Sequence, residues 1–268
     1  MTLGAISDAH FGPQASFDGK LRKLSGQAAE LSSAFVARMR DEVRPDLLVN
    51  LGDAIEDESP TADLERYAHY LAILGRAGCE IVHVAGNHDR VHLSPETLRR
   101  AWGMSPEGPL YRSFDRGAIH LVVLYSHEQK DLDVTLGSEQ LDWLAADLAA
   151  SARDTVVLVH HSPADQDLRG NRWFERDPHL CLIADRQRLR ELLRAHGRTR
   201  LVLNGHLHWN HLAVVDSIPY VTLQSLVENV DEDAPGRAAA AHALVRIEEG
   251  GLSVDIAGAH PARYQLAR

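Results

Sequence analysis

RLVLNGHLH, Arg200 to His208, carries a short apolar run into a glycine and then into two histidines one residue apart. A run that is apolar at successive positions and too short for a helix suits a strand covered on both faces. In an extended segment His206 and His208 would project to the same side. The same grammar recurs four times upstream: LGAIS runs into Asp8, LLVNL into Gly52-Asp53, EIVHVA into Gly86-Asn87, and TVVLV into His160-His161. Between these runs, Leu21 to Val43, Thr61 to Gly75, Ser138 to Ser151 and Asp185 to His196 place apolar residues three and four apart. That spacing predicts helices, with Thr61 and Ser138 as N-caps of two of them. Strands alternating with helices define an α/β fold. Beyond Gly205, HLAVVD, IPYVTLQS, AHALVRIEEG and LSVDIAG read as antiparallel strands, and ENVDEDAPGR (Glu228 to Arg237) reads as a surface loop.

Composition narrows the function. The 268 residues are 44% hydrophobic and 25% charged. No apolar run nears the roughly 20 residues a membrane span needs, and the opening MTLGAISDAHFG has no signal-peptide pattern, so a cytoplasmic protein without a membrane partner is expected. A formal charge of -10 disfavours nucleic acid and points to a small-molecule substrate. Cys79 and Cys181 are too few for a disulfide framework or a thiolate clip and read as small core residues. Histidine is abundant, with 16 copies, and imidazole both binds transition metals and moves protons near neutral pH.

Taken singly, each strand-end motif has an ordinary explanation, since Asp and Asn commonly form turns and helix caps. Taken together, five in order at carboxyl ends of strands, where α/β sheets build their ligand sites, they read as a metal centre. The ordered set D-x-H (Asp8, His10), G-D (Asp53), G-N-H-D (Asn87, His88, Asp89), H (His160) and G-H-x-H (His206, His208) resembles the signature of the calcineurin-like metallophosphoesterase superfamily, from Asp8 to His208. The resemblance implies one domain over 1–268, a four-layer α/β/β/α sandwich of two mixed sheets flanked by helices. It implies two divalent or mixed-valence transition ions, Mn, Fe or Zn. Asp8, His10 and His208 would hold one, Asn87, His160 and His206 the other, and Asp53 would bridge them. The family's usual H-H-P-P form selects His160 over His161 within VHHSP. It also gives His88 a catalytic role, facing the phosphate to stabilise its charge or to protonate the leaving oxygen. Asp89 would orient His88 or cap a turn, and Asn204 is left without an assigned role.

The chemistry supports this ligand set. Carboxylate, amide and imidazole donors without thiolate suit Mn, Fe, Zn, Co or Ni. Two cations sharing a carboxylate, about 3.5 to 4 Å apart, can clamp a phosphate and make a water acidic enough to attack near pH 7. His69, His83, His120, His196 and His242 lie in helical or strand patterns and read as structural or solvated. His92, His127 and His211 fall near the motifs and are placed at the pocket rim.

The segment Ser162 to Ala184 is long and rich in Arg, Trp and Asn, as expected of a lid. Arg169, Asn171, Arg172 and Trp173 are its candidates for meeting substrate. SDAHFG, VHHSP and GHLHWN look most like the bacterial cyclic-nucleotide and glycerophosphodiester phosphodiesterase branch. Glu56 stands where purple acid phosphatases would carry a Tyr ligand, which argues against that branch. The expectation is hydrolysis of a small phosphodiester, with cyclic AMP as a candidate. The alternatives are a phosphomonoesterase, a nuclease, or a non-catalytic metal-binding scaffold. Oligomeric state is left open, a homodimer included.

Overall fold

A computed structural model describes residues 1–128 and 132–267. The chain begins with β1 (Thr2–Ile6), a small hairpin of β2 (Ala15–Phe17) and β3 (Lys20–Lys23), and α1 (Ala28–Arg38). There follow β4 (Leu47–Asn50), α2 (Pro60–Leu74), β5 (Glu80–His83), the short helices α3 (Asp89–His92) and α4 (Pro95–Ala101), and the strands β6 (Arg112–Arg116) and β7 (Ile119–Val123). Next are α5 (Ser138–Ala150), β8 (Asp154–Leu158) and α6 (Arg186–His196). The remainder is β9 (Thr199–Asn204), β10 (His211–Val215), β11 (Ile218–Thr222), β12 (His242–Glu248), β13 (Gly251–Ala257) and β14 (Ala262–Ala267).

Two six-stranded mixed sheets result, in the orders β14-β13-β12-β1-β4-β5 and β10-β11-β9-β8-β7-β6. β1 pairs parallel to β4 with Leu3 opposite Leu47, and antiparallel to β12 with Leu3 opposite Val245. In the second sheet β7, β8, β9 and β11 run parallel. Period-two alternation divides each strand between two cores. Leu3, Val49, Val82, Leu121, Val156, Leu203 and Val245 meet between the sheets. The opposite faces pack on helices: Ile6 and Leu48 against Phe35, Val36, Tyr67 and Tyr70, and Val122, Val157 and Val202 against Leu144, Leu148, Leu189 and Leu193. Each fully buried aliphatic side chain of this kind contributes about 1.5–3 kcal/mol. The expected four-layer α/β/β/α sandwich is the observed fold.

Several local expectations change. The helix expected from Leu21 starts at Ala28, because Lys20–Lys23 is a strand whose backbone continues onto the 227–229 segment, through Leu24 N to Val227 O and Asn229 N to Arg22 O. Ser59, rather than Thr61, caps α2 by accepting from Ala62 N. Ser138 is the first helical residue of α5 and caps nothing. The Asp185 carboxylate instead takes the amides of Leu136 and Gly137 ahead of that helix. Past Gly205 the strands pair antiparallel except β11, which lies parallel to β9. Cys79 and Cys181 are free thiols, and no described helix is long and apolar enough to cross a membrane.

His120 on β7 is structural. Its Nδ1 and Nε2 lie 2.8 Å from Asp115 and Asp147 carboxylate oxygens, so both nitrogens must carry protons to be satisfied. Burial pulls the imidazole pKa down, but the Asp147 and Asp115 carboxylates outweigh it and the pKa is raised. A raised folded-state pKa gives stability that is complete below about pH 6.5 and is lost as pH rises through the folded value. His120→Gln should therefore cost about 1 kcal/mol at pH 6, read as a lowered melting temperature, and less at pH 9. A pH-independent difference would refute the charged pairing.

Candidate metal centre

The carboxyl ends of β1, β4 and β5 in one sheet and of β8 and β9 in the other reach the same edge of the sandwich. Backbone bonds lock the turns together: Asp8 N and His10 N donate to the carbonyls of Gly52 and Asp53, and Gly205 N donates to that of His160. Across the sheets, His206 N donates to Asp8 Oδ2 and Ser225 Oγ to Asp8 O. Such tight turns need unusual backbone. Asp8, His10, Asp53, His206 and His208 all have left-handed φ, between 44° and 67°, a conformation that costs of order 1–3 kcal/mol each and that persists where surrounding structure enforces it. Gly86 cannot be replaced here, because a Cβ would collide with the carboxylate and amide nitrogen of Asp53.

All seven side chains expected at the metal centre converge, and Asp53 lies between two groups. On one side His10 Nε2 is 3.9 Å from Asp53 Oδ2, 3.9 Å from Asp8 Oδ1 and 3.2 Å from His208 Nε2. On the other side His160 Nε2 is 3.3 Å from Asp53 Oδ2, 3.1 Å from Asn87 Oδ1 and 3.1 Å from His206 Nδ1. Except for Asn87, all of them are buried.

The outward nitrogens reveal what the inward ones require. His10 Nδ1 faces the Glu56 carboxylate at 3.0 Å, and His208 Nδ1 faces that of Glu228 at 2.7 Å. His160 Nδ1 lies 2.8 Å from the Leu51 carbonyl, and His206 Nε2 3.0 Å from that of Leu180. Carbonyls and carboxylates only accept, so each imidazole donates outward and turns its bare nitrogen inward. Four lone pairs, an amide oxygen and the Asp8 and Asp53 carboxylates then point at one another, and among the described residues Asp8 Oδ1 is a buried acceptor without a hydrogen bond. Such an arrangement is favourable only around cations. The carboxylates draw positive charge into the cluster: burial pulls His160 down, yet Asp53 and Asp8 push it up to about 10, and Asp8 with Glu228 lifts His208 to about 9 against the same burial. Protons therefore take the inward positions of these two when no metal ion does, while burial keeps His10, lowered to about 4, and His206 neutral. The donor set fits two metal ions, and Asp8, His10 and His208, and Asp8, Asp53 and His160, already form groups that could hold one.

His161 turns away. Its Nδ1 is 2.8 Å from Ser126 Oγ and its Nε2 3.4 Å from Glu128, although its ring packs on His206 and could join His160 and His206 in a third such group. His88 sits above the cluster, its backbone N donating to Asp53 Oδ1 at 2.9 Å and its Nδ1 2.5 Å from Asp57 Oδ1. The buried Asp89 carboxylate takes Ala54 N and Gly86 N and so ties the two motif loops together. Asn204 bonds Gly205 O and Thr222 and lies outside the cluster.

A cavity of about 240 Å³ opens over Asp53, Asn87, His88, His206 and His208, walled by Lys23, Glu56, Glu128, Trp173, Phe174 and Leu180. Two larger clefts, each about 900 Å³, lie at the amino ends of the strands among Arg116, Arg153, Arg198 and Arg200, away from this chemistry. Of the candidate lid residues only Trp173 walls the cavity. Arg169 pairs with Asp167, Arg172 with Glu232 and the carbonyls of Asn229 and Asp231, and Asn171 with Leu207 O. His92, His127 and His211 are not in the cavity wall; they meet Asp63, Tyr125 and Trp209 respectively.

The family model of the calcineurin-like phosphoesterases matches residues 1–210. The chain belongs to that family. It is a metal-dependent phosphoesterase. A probable cyclic nucleotide phosphodiesterase of Synechococcus is 31% identical over 78% of this phosphoesterase and 73% of its own length. A cAMP/cGMP dual specificity phosphodiesterase of Mycobacterium tuberculosis is 30% identical over 66% of this chain, which spans about half, 53%, of that protein. A dimetal phosphatase from Danio rerio has the same fold, with a TM-score of 0.79 over 99% of this chain and 98% of its own, at 17% identity.

Sequence reasoning did not find Lys23, Asp57, Glu128 and Glu228 in the phosphoesterase site, nor Glu56 as a partner of His10. Glu56 and Asp57 follow Asp53 in DAIED and were within reach of a search for carboxylates beside the motif. Glu228, read as part of a surface loop, is buried and has no sequence signal. Carboxylates behind metal-binding histidines typically contribute 10–100-fold to affinity. Glu228→Gln should thus weaken one of two Mn(II) binding steps by about that factor, measured by titration against a chelator. Unchanged affinity in both steps would remove Glu228 from this role.

Proposed function

We propose that this phosphoesterase hydrolyses small phosphodiesters, with 3′,5′-cyclic nucleotides such as cyclic AMP as the substrate class. The observation that carries the reading is the pair of inward-facing donor groups sharing Asp53 beneath a small cavity. Asp8, His10, Asp53 and His208 would hold one transition-metal ion, and Asp53, Asn87, His160 and His206 the other; Mn, Fe and Zn suit these donors. When bound, the two ions would withdraw charge from the phosphoryl oxygens and make a water acidic enough to attack near neutral pH.

The chain's own residues supply the rest. Asp57 fixes the His88 ring through Nδ1, which leaves Nε2 to face the ester and to deliver a proton to the departing oxygen. Trp173 and Phe174 wall one side with apolar surface, and Phe174 stacks on His206 at 4.7 Å. A cavity of about 240 Å³ suits a small ester rather than a polymer, in keeping with the -10 charge. The names of the Synechococcus and Mycobacterium relatives favour cyclic nucleotides within that class.

The test is turnover of bis(p-nitrophenyl) phosphate against p-nitrophenyl phosphate with Mn(II), followed by cyclic AMP and cyclic GMP. Faster diester turnover, together with hydrolysis of a cyclic nucleotide, is expected. Preference for the monoester, or an inert cyclic nucleotide, would overturn the respective part of the reading.

A further inference from the structure

Lys23 belongs to none of the strand-end motifs, yet its ammonium reaches the cavity over the cluster. It arrives on β3, whose backbone is held on the 227–229 segment by Leu24 N to Val227 O at 2.9 Å and Asn229 N to Arg22 O at 2.7 Å. Its side chain is 5% exposed, and Nζ lies 2.8 Å from Glu56 Oε2 and 3.3 Å from His88 Nε2. The ammonium also stands over the Trp173 ring, 5.2 Å from its centroid. Among the described residues that wall the cavity there is no other Lys or Arg.

These distances place two cation-forming groups at one spot. Asp57 occupies His88 Nδ1, so Nε2 is the nitrogen that an ester would meet, and with Nζ 3.3 Å from Nε2 the phosphoryl group has room to place one oxygen within hydrogen-bond range of both. An ammonium stripped of most of its water acts on such an oxygen through a low local dielectric, which strengthens it. A purely structural role would have Lys23 balance Glu56. Lys23 does balance Glu56, which the neutral His10 ring cannot do, and its Nζ lies 3.5 Å from His10 Nδ1, yet the same ammonium also lines the cavity beside His88 Nε2, where a structural ion pair alone has no need to be.

We propose that Lys23 is a substrate-binding residue whose ammonium holds a non-bridging oxygen of the phosphoryl group presented to His88. The assignment rests on the phosphoester reading above. No proton or bond is transferred by Lys23; it adds charge-assisted hydrogen bonding, of a size that converts to roughly 10- to 100-fold in affinity.

The experiment uses the full chain reconstituted with Mn(II), as wild type, Lys23→Met and Lys23→Arg. Metal content comes from elemental analysis, folding from the melting transition, inorganic phosphate binding from calorimetry, and kcat and KM from bis(p-nitrophenyl) phosphate. Lys23→Met is expected to keep its metal while weakening phosphate binding and raising KM about 10- to 100-fold, with Lys23→Arg recovering most of both. Phosphate affinity and KM within about twofold of wild type, or a loss of metal or fold shared by both variants, would overturn the proposal. A failed diesterase reading shows instead in the wild type, as absent or monoester-preferring turnover. Phosphate calorimetry reads Lys23 whatever the natural ester is.

Discussion

Asp53→Ala protein should purify folded, bind less than one metal equivalent per chain, and lose about 10³-fold or more of its turnover. Asp53 Oδ2 is the atom common to both donor groups, 3.3 Å from His160 Nε2 and 3.9 Å from His10 Nε2. Its other oxygen accepts His88 N, so the same carboxylate also sets the height of His88 over the cluster. Burial would raise the Asp53 pKa, but the surrounding His160, His88 and His10 hold it well below the usual carboxylate range, so the charge is present at every physiological pH. Without it, buried imidazole nitrogens would converge with only the Asp8 carboxylate left to attract a cation. Asp53→Asn sharpens the test, since the amide can still accept from His88 N but carries no charge. It should recover the position of His88 and not the metal. Two tightly held equivalents in Asp53→Ala would remove Asp53 from the shared position.

The outline of the fold was legible because the strands that build the site are covered on both faces and so are nearly continuous in apolar character. LLVNL and RLVLN could be placed to within a residue of β4 and β9. The five strand-end motifs were legible for a related reason, since a strand end fixes where the next residue goes, whereas the choice of Asn87 and His160 within their motifs came from the family resemblance. Lys23 and Glu228 had no such advantage. β3 exists because it pairs with β2 in a hairpin and because the 227–229 segment bonds its end across the fold, contacts that overrode the helical spacing from Leu21 onward. Ser138 looked like the cap of α5, but the amides ahead of that helix are taken instead by Asp185, far along the chain. Residues whose partners lie elsewhere in the chain, such as Lys23 and Glu228, leave no periodic trace, although they face the donor groups and the cavity.

His88→Ala should behave as the opposite of Asp53→Ala, keeping two metal equivalents while kcat falls about 10²- to 10⁴-fold. His88 contributes a backbone amide to Asp53, which alanine retains, and its side chain bonds Asp57 rather than any residue of the donor groups. Burial and Lys23 lower its pKa, but Asp53, Asp57 and Glu56 outweigh them, so the imidazole holds its second proton more firmly than a free histidine. That proton can go to the departing oxygen, and the need for it depends on what departs. The ribose alkoxide of a cyclic nucleotide leaves poorly unless protonated, whereas p-nitrophenolate leaves readily unaided. The deficit in His88→Ala should therefore be larger, by tenfold or so, for cyclic AMP than for bis(p-nitrophenyl) phosphate. Asp57→Asn should show a smaller deficit with the same substrate order, because it loosens the ring without removing it. Equal losses on both substrates would mean that His88 stabilises phosphoryl charge instead of protonating the leaving group, and loss of metal from His88→Ala would contradict its separation from the metal-holding residues.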